Sequence, residues 1–293
     1  MNDWLKRIQF KSRTCSDING KSIDISNQRA ISMYVVLTRK CNAHCEFCEF
    51  NTGKNEISVN IFEDMFREIT RYCDIPVLHF TGGEPTLELD KLIKISKIVK
   101  QVSPLTTISV NTNGIRLNEL SEIDEVDNIA LSRHALTDEE NIKIFGTNTV
   151  ASEEVIKQNK HKEKLHLSCN LIKGYIDSQE KIISYLEKAS ELGINDIGLV
   201  SLMKVNNFCN ERYISFKEIC PEQTDRFINN RCFSNINNKG ELCCKCENYL
   251  YRANNLKLIS VYHRYAIRNS EIADYLVFEN NQLKQGFNGE VIK

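Results

Sequence analysis

Three cysteines share one short loop, at positions 41, 45 and 48 of the stretch CNAHCEFC. Structural zinc is usually held by four ligands, often in paired C-x-x-C motifs, so zinc would need His44 from the same loop as a fourth ligand. Three thiolates suit a [4Fe-4S] cluster in which one iron lacks a protein ligand, because such clusters otherwise take four cysteines. We therefore expect Cys41, Cys45 and Cys48 to bind a cluster with one open iron.

Two glycine-containing motifs follow the cysteine loop along the chain. The first is FTGGEPT, residues 80–86, and the second is NTNG, residues 111–114. Glycine lets the backbone approach a ligand closely, and successive backbone amides can bind an anionic or polar group. The second motif is also an ordinary turn signal.

The spacing C-x3-C-x2-C, with Phe47 before the last cysteine, resembles the radical S-adenosylmethionine (radical SAM) superfamily, as do the GGEP and NTNG motifs. The resemblance implies that the open iron binds the amino and carboxylate groups of SAM. It also implies that an electron from the cluster cleaves SAM to a deoxyadenosyl radical, which abstracts hydrogen from a substrate. The SAM-binding residues implied by the resemblance are Phe47, Thr81, Gly82, Gly83, Glu84, Pro85, Asn111, Asn113, Ser132, Asn170 and Val200.

A further polar pair stands in the stretch LSRHALTDEE, where His134 takes the place of an aspartate that is frequent in the family. Arg133 is a bidentate donor suited to a carboxylate or phosphate, so it is expected to bind SAM or a substrate anion. His134 is a candidate acid or base, with a structural histidine as the alternative. We predict Arg133 and His134 as catalytic residues.

The elements that must position these residues alternate between short apolar runs and longer amphipathic stretches. Helix 177–193 is the clearest of the latter, with Asp177 as the expected N-cap, Glu180 three residues later and Gly193 at its end. This alternation predicts an α/β fold with parallel strands, a partial (βα)6 TIM-like barrel whose reactive groups lie at the carboxyl ends of the strands. The predicted strands are residues 33–37, 77–80, 107–111, 129–132, 165–172 and 196–200.

A second group of cysteines lies after residue 205. The turn signal NNKG, residues 237–240, predicts a hairpin that is followed closely by cysteines. This part resembles the twitch or SPASM-type extension of radical SAM enzymes, which implies a small hairpin-plus-helix domain with a second [4Fe-4S] cluster, and zinc is the alternative. The expected domains are an N-terminal extension (1–30), the core barrel (31–205) and the C-terminal domain (206–293). The expected ligands of the second metal site are Cys220, Cys232, Cys244 and Cys246.

Composition narrows the range of partners. The chain has 293 residues and a formal net charge of -1, so it offers no electrostatic footprint for nucleic acid or an anionic membrane. Its first residues contain no uninterrupted apolar stretch of a secretory signal, and 12 cysteines suit a reducing compartment, so we expect a cytoplasmic protein. We expect a small-molecule or nucleotide-like biosynthetic substrate and a reductant such as flavodoxin or ferredoxin.

Two alternatives remain open from the sequence. Because only about 30 residues precede the first core strand, we expect no N-terminal peptide-recognition domain, which makes a peptide maturase or epimerase the second choice. A non-catalytic iron–sulfur or zinc protein is an alternative of another class, although it would have no use for the GGEP and NTNG motifs at strand ends.

Overall fold

One large mixed sheet organises the chain. The computed structural model describes residues 3–10, 14–16, 22–24, 29–49, 53, 55–219, 227–228, 246–264 and 275–293. Two short antiparallel strands, β1 (Thr14–Ser16) and β2 (Ser22–Asp24), form a sheet of their own. The strands of the large sheet are β3 (Ser32–Thr38), β4 (Val77–Gly82), β5 (Thr107–Thr112), β6 (Asn128–Ser132), β7 (Leu165–Leu171), β8 (Asp196–Ser201), β9 (Phe227–Ile228), β10 (Cys246–Arg252), β11 (Leu258–Arg264), β12 (Tyr275–Glu279) and β13 (Gln282–Gln285).

Helices follow most of the core strands. None of those that the structure describes is long and apolar enough to cross a bilayer. Three 3-10 helices span Asp3–Arg7, Pro85–Glu88 and Lys162–Lys164. The α-helices are α1 (Val59–Thr70), α2 (Leu89–Val102), α3 (Leu117–Ser121), α4 (Asp138–Phe145), α5 (Glu153–Gln158), α6 (Gln179–Leu192), α7 (Asn207–Arg212) and α8 (Phe216–Ile219).

All six predicted core strands are present, and β3 to β8 pair side by side in parallel. The described part of the sheet is not closed: it begins at β13 and ends at β9. The prediction of an α/β fold with a partial TIM-like barrel is confirmed. Parallel pairing follows from the intervening helices, because a crossover connection returns each strand to the same edge of the sheet.

The two faces of the sheet differ. Leu78, Phe80, Val110 and Leu131 alternate along their strands and are fully buried against the helices. The opposite face, which we call the inner face, carries Tyr34, His79, Asn111, Ser132 and Asn170. These five side chains are half-buried and polar or aromatic. Because side chains alternate between the two sides of a strand, the apolar positions form the core and the polar and aromatic positions form the inner face.

Helix α6 begins one residue later than the sequence indicates. Ser178 is its N-cap, with a side chain that accepts a hydrogen bond from the Lys181 amide. The predicted cap, Asp177, instead accepts from the Gly174 amide and from Lys181 Nζ. The prediction of Asp177 as N-cap is therefore wrong, because the preceding turn uses its carboxylate. Gly193 ends the helix in the left-handed conformation, as expected.

C-terminal residues extend the same sheet at both edges. Strand β12 pairs in parallel with β3, and β11 pairs in parallel with β8. Strands β10 and β11 form one antiparallel hairpin, and β12 and β13 form another across Asn280 and Asn281, both with positive φ. The NNKG turn lies outside the described residues. So do residues 265–274, and the described segments between Ile219 and Lys293 contain strands and turns but no helix.

Candidate functional site

Three loops meet at the carboxyl edge of the sheet. The Gly83 amide donates to the Thr38 carbonyl at 2.8 Å, and the Glu84 amide donates to the Lys40 carbonyl at 2.8 Å. A Cβ atom built on Gly83 would lie 2.1 Å from the Lys40 carbonyl oxygen, which only glycine avoids. The GGEP loop is thereby fastened to the start of the cysteine loop. The amides of Gly83 and Glu84, which we expected to face a ligand, bind these protein carbonyls instead.

The Glu84 carboxylate joins the second loop to the third. It is 1% exposed and accepts hydrogen bonds from Thr86 Oγ1 at 2.6 Å, Thr112 Oγ1 at 2.7 Å and the Asn113 amide at 2.8 Å. Burial raises the pKa of Glu84, while these hydrogen bonds lower it. The carboxylate oxygens thus bind the scaffold below the cysteine loop, and the prediction that Glu84 contacts SAM stays a prediction.

Asn113 connects the NTNG turn to the cysteine loop directly. Its Nδ2 donates to Asn42 Oδ1 at 2.8 Å, and Asn42 Nδ2 donates in turn to Thr149 Oγ1 at 2.8 Å. The Asn113 Oδ1 accepts from the Ile115 amide within the turn. The prediction that Asn113 belongs to the site stays a prediction, and the structure gives it this bridging contact.

The three thiols lie close enough to interact electrostatically. Burial raises the pKa of Cys41, and it raises the pKa of Cys45 to about 12, with the neighbouring thiols adding to both shifts. Within the described residues, no three cysteine, histidine or carboxylate side chains converge tightly enough for a single metal ion. A cluster attaches each thiolate to a different iron and so needs a wider spacing than one ion does. Three thiols on one loop are the donor set that a cluster with one open iron would take, and binding it would release the thiol protons.

His134 is buried in the wall behind the cysteine loop. Its Nδ1 accepts a hydrogen bond from the Asn170 amide at 3.1 Å, so its ring proton is on Nε2. The ring stacks on Phe145 and meets the edge of Phe47, both with centroids 5.1 Å apart. Burial lowers the pKa of His134 to about 3. The imidazole is therefore neutral near pH 7 and supports Phe47, next to Cys48. That His134 is an acid or base stays a prediction, with a structural histidine as the alternative.

Arg133 is also turned into the protein. Its guanidinium pairs with Asp138 at 2.7 Å and with Glu153 at 2.9 Å, and its side chain is only 3% exposed. The Tyr185 hydroxyl donates to the Arg133 carbonyl at 2.8 Å. These contacts give the guanidinium a structural role, and the prediction that Arg133 binds a SAM or substrate anion stays a prediction.

The remaining predicted SAM residues share one region. Ser132 on β6 and Asn170 on β7 point to the inner face, and Asn170 is level with Val200 on β8. Thr81 is level with Val36 near the end of β4, and Pro85 is buried where a 3-10 helix begins. The structure thus brings Thr81, Asn111, Ser132, Asn170 and Val200 to the carboxyl half of the inner face, as expected for strand-end residues.

Most of the expected ligands of the second metal site lie outside the described residues. Cys220, Cys232 and Cys244 lie outside the described residues, and Cys246 is described only as the first backbone position of β10. Cys209, in helix α7, is buried, and its Sγ donates to the Phe47 carbonyl at 3.6 Å. This thiol therefore contacts the first cysteine loop, a proximity that sequence spacing could not reveal.

The sequence did not predict a set of contacts, which we call the brace, between hairpin β12–β13 and the segment that contains the cysteines. Arg39 Nε donates to Glu279 Oε1 at 2.7 Å, and Lys284 Nζ lies 3.3 Å from Glu279 Oε2. The Ser58 amide, at the start of α1, donates to Asn281 Oδ1 at 2.7 Å. Hairpin β12–β13 thereby holds both ends of the segment that contains the cysteines. No local signal links residues 240 positions apart.

Comparisons with known proteins agree with this architecture. A family model described as the Radical SAM superfamily matches residues 35–208. The chain is 29% identical over 178 residues to "Probable GTP 3',8-cyclase" of Saccharolobus islandicus (strain Y.N.15.51 / Yellowstone #2), covering 58% of this chain and 56% of that protein. It is 31% identical over 103 residues to the protein of the same name from Methanocella arvoryzae, covering 34% and 32%.

The chain spans about half the length of the curated relatives it matches. Among solved structures, Streptococcus suis SuiB bound to S-adenosylmethionine superposes with a TM-score of 0.51 at 16% identity, over 61% of this chain and 42% of that chain. At this identity the likeness is one of fold.

Proposed function

Because the chain belongs to the radical SAM superfamily, we propose that it binds a [4Fe-4S] cluster on Cys41, Cys45 and Cys48 and abstracts hydrogen from a small-molecule or nucleotide-like substrate. One observation carries the proposal: a three-thiol loop is fastened to the ends of β4 and β5 at the carboxyl edge of a parallel sheet. When bound, the cluster would supply the electron that cleaves SAM to the deoxyadenosyl radical.

The protein contributes position and exclusion of water. Backbone hydrogen bonds from Gly83 and Glu84 fix the start of the cysteine loop, and the bond between Asn113 and Asn42 fixes the residue after Cys41. The inner-face residues Asn111, Ser132 and Asn170 would bind SAM beside the loop. Holding a reactive group and its target in one fixed geometry lowers the entropic part of the barrier.

The substrate class is proposed from the relatives. The curated proteins that the chain resembles are named for a reaction of GTP, which favours a nucleotide over a peptide. The inner face is half-buried and lined by polar and aromatic side chains, the mixture that small-ligand sites use. A reductant such as flavodoxin or ferredoxin would deliver the electron. A second metal site on the C-terminal cysteines stays part of the proposal.

The test is anaerobic reconstitution with iron and sulfide, followed by SAM and dithionite. The wild type should release deoxyadenosine, and the triple variant Cys41→Ala/Cys45→Ala/Cys48→Ala should release none and lose about four irons per chain. Cys73→Ala is the matched control, since Cys73 is a buried cysteine away from the loop and should keep its iron. A reconstituted wild type that holds only zinc, or releases no deoxyadenosine, would refute the proposal.

A further inference from the structure

Three polar side chains form a row on the inner face, away from the cysteine loop. His166 on β7 lies between the other two: its Nε2 is 3.0 Å from the Tyr262 hydroxyl, and its Nδ1 is 3.0 Å from Asp196 Oδ2. The carboxylate approaches Nδ1 out of line for a full hydrogen bond, and the described residues offer this buried nitrogen no better partner.

Gly198 allows the row to form. His166 and Tyr262 belong to β7 and β11, which are separated by β8, and Gly198 on β8 is level with Tyr262. A Cβ atom at Gly198 would lie 2.5 Å from the Tyr262 hydroxyl and 2.9 Å from His166 Nε2. The two rings therefore meet over the backbone of the strand between them, nearly parallel and with centroids 5.1 Å apart. Any other residue at position 198 would separate them.

The row extends from an exposed end at Asp196 to a half-buried end at Tyr262. The Asp196 side chain is 55% exposed at the amino end of β8, the His166 side chain is 13% exposed, and Tyr262 is half-buried. A carboxylate beside Nδ1 favours the tautomer with the proton on Nδ1. Nε2 is then a hydrogen-bond acceptor, and the Tyr262 hydroxyl is its donor. Hydrogen bonds that point in this direction suit the transfer of a proton from Tyr262 through His166 toward solvent.

We infer that Asp196, His166 and Tyr262 form a proton relay that serves the substrate, with Tyr262 as the catalytic residue. This inference rests on the proposed function, because the substrate would lie on the inner face. His166 precedes Asn170 by four residues on the same face, which places them about 13 Å apart at roughly 3.3 Å per residue. A molecule of nucleotide size spans that distance and would reach both the SAM-binding edge and Tyr262.

The step moves a proton and no electron. A substrate O–H or N–H bond breaks and its proton passes to Tyr262 Oη, while the original hydroxyl proton passes to His166 Nε2. The resulting imidazolium is stabilised by the Asp196 carboxylate and loses its Nδ1 proton past Asp196 to solvent, and exchange of the Nε2 proton then restores the starting tautomer. Tyr262 is regenerated, and the substrate retains the electron pair of the broken bond. The relay thus takes substrates with an acidifiable hydroxyl or N–H group.

The first test reads the imidazole itself and needs no substrate. Nitrogen-15 NMR of the reconstituted, histidine-labelled protein should show the His166 proton on Nδ1, with the resonance assigned as the one absent from His166→Gln among the six histidines. Asp196→Asn should reverse the tautomer preference, and Tyr262→Phe should shift the Nε2 resonance. A wild-type proton on Nε2, or an Nε2 resonance unmoved in Tyr262→Phe, would overturn the relay.

The second test uses GTP as the probe. Tyr262→Phe keeps the ring and removes only the hydroxyl, so the product formed from GTP should fall about a hundredfold, the usual contribution of a general base. Tyr249→Phe, on the neighbouring strand β10, is the matched control and should form product at the wild-type rate. Equal yields from Tyr262→Phe and wild type would reject the relay. A wild type that fails to cleave SAM would reject the proposed function instead, and the NMR result would stand by itself.

Discussion

Glu279 and Arg39 form an ion pair that joins the last part of the chain to the residue two positions before Cys41. The Glu279 side chain is only 4% exposed, and Lys284 contacts its second oxygen. Because the Thr38 and Lys40 carbonyls on either side of Arg39 accept the amides of Gly83 and Glu84, this pair acts at the anchor point of the cysteine loop.

Replacing Glu279 by Gln should therefore weaken that anchor. The variant keeps an acceptor for Arg39 but removes the charge, and we expect a loss of about 2 kcal/mol in the free energy of unfolding, as for other charge-assisted hydrogen bonds. Iron should also dissociate faster from the reconstituted variant. Urea unfolding and timed iron release measure the two effects. Asp3→Ala removes an exposed partner of Lys6 and should change stability by less than about 0.5 kcal/mol. Unchanged iron release in Glu279→Gln would contradict the brace.

Gly83→Ala should displace the cysteine loop. The new methyl group would lie 2.1 Å from the Lys40 carbonyl oxygen, so the two backbones must separate. We expect a destabilisation of about 2 kcal/mol together with reduced cluster content after reconstitution. Gly193→Ala is the matched control: it strains the left-handed end of α6 but meets only a flexible lysine side chain. It should lose about 1 kcal/mol of stability and keep its iron. Equal iron content in both variants would refute this account.

The pH dependence of stability should report on His134. Its pKa is about 3 in the folded protein and about 6.5 in the unfolded chain, so the unfolded state binds more protons between these values. The contribution of neutral His134 to the free energy of unfolding is therefore complete above about pH 6.5. It falls on acidification by up to about 1.4 kcal/mol per pH unit.

His134→Asn keeps an acceptor for the Asn170 amide and should flatten that dependence between pH 6.5 and 5. Urea midpoints at several pH values measure it. Phe145→Leu removes the stacked ring but leaves the imidazole, so it should lower stability and preserve the slope. A slope in His134→Asn equal to that of the wild type would show that other groups cause the acid sensitivity.

The variant Arg133→Met should show whether the Arg133 side chain stabilises the fold or binds a ligand. Because the guanidinium pairs with Asp138 and Glu153, its loss should cost about 2 kcal/mol of stability. The affinity for SAM, measured by calorimetry on the reconstituted protein, should stay within about twofold of wild type, since the side chain faces away from the inner face. Arg116→Met removes an exposed pair with Glu119 and should change neither quantity. A tenfold loss of SAM affinity in Arg133→Met would contradict this expectation and support the predicted ligand-binding role.

Local pattern was sufficient for the barrel strands and for the cysteine loop. Alternation of apolar residues and the end of each run are short-range features, and β3 to β8 follow them closely. The start of α6 was misplaced because Asp177 and Ser178 are both good caps, and only the turn at Gly174 decides between them.

Long-range contacts account for what sequence reasoning did not find. The roles of Arg133 and His134 depend on Asp138, Glu153 and Asn170, whose positions follow from packing. The Arg39–Glu279 pair and the His166–Tyr262 contact each join distant segments through strands that pair late in the chain. Residue type indicates which side chains can react, whereas the register of neighbouring strands decides which of them meet.

The positions of β11 and β12 also affect how the chain is made. Both strands belong to the last 36 residues, yet they cover opposite edges of the sheet, on β8 and on β3. During translation, the edges at β3 and β8 keep unpaired backbone groups until β11 and β12 have been made, and such edges invite pairing with other chains. Efficient recovery from a recombinant host should therefore depend on slow expression or on chaperones that shield the nascent barrel.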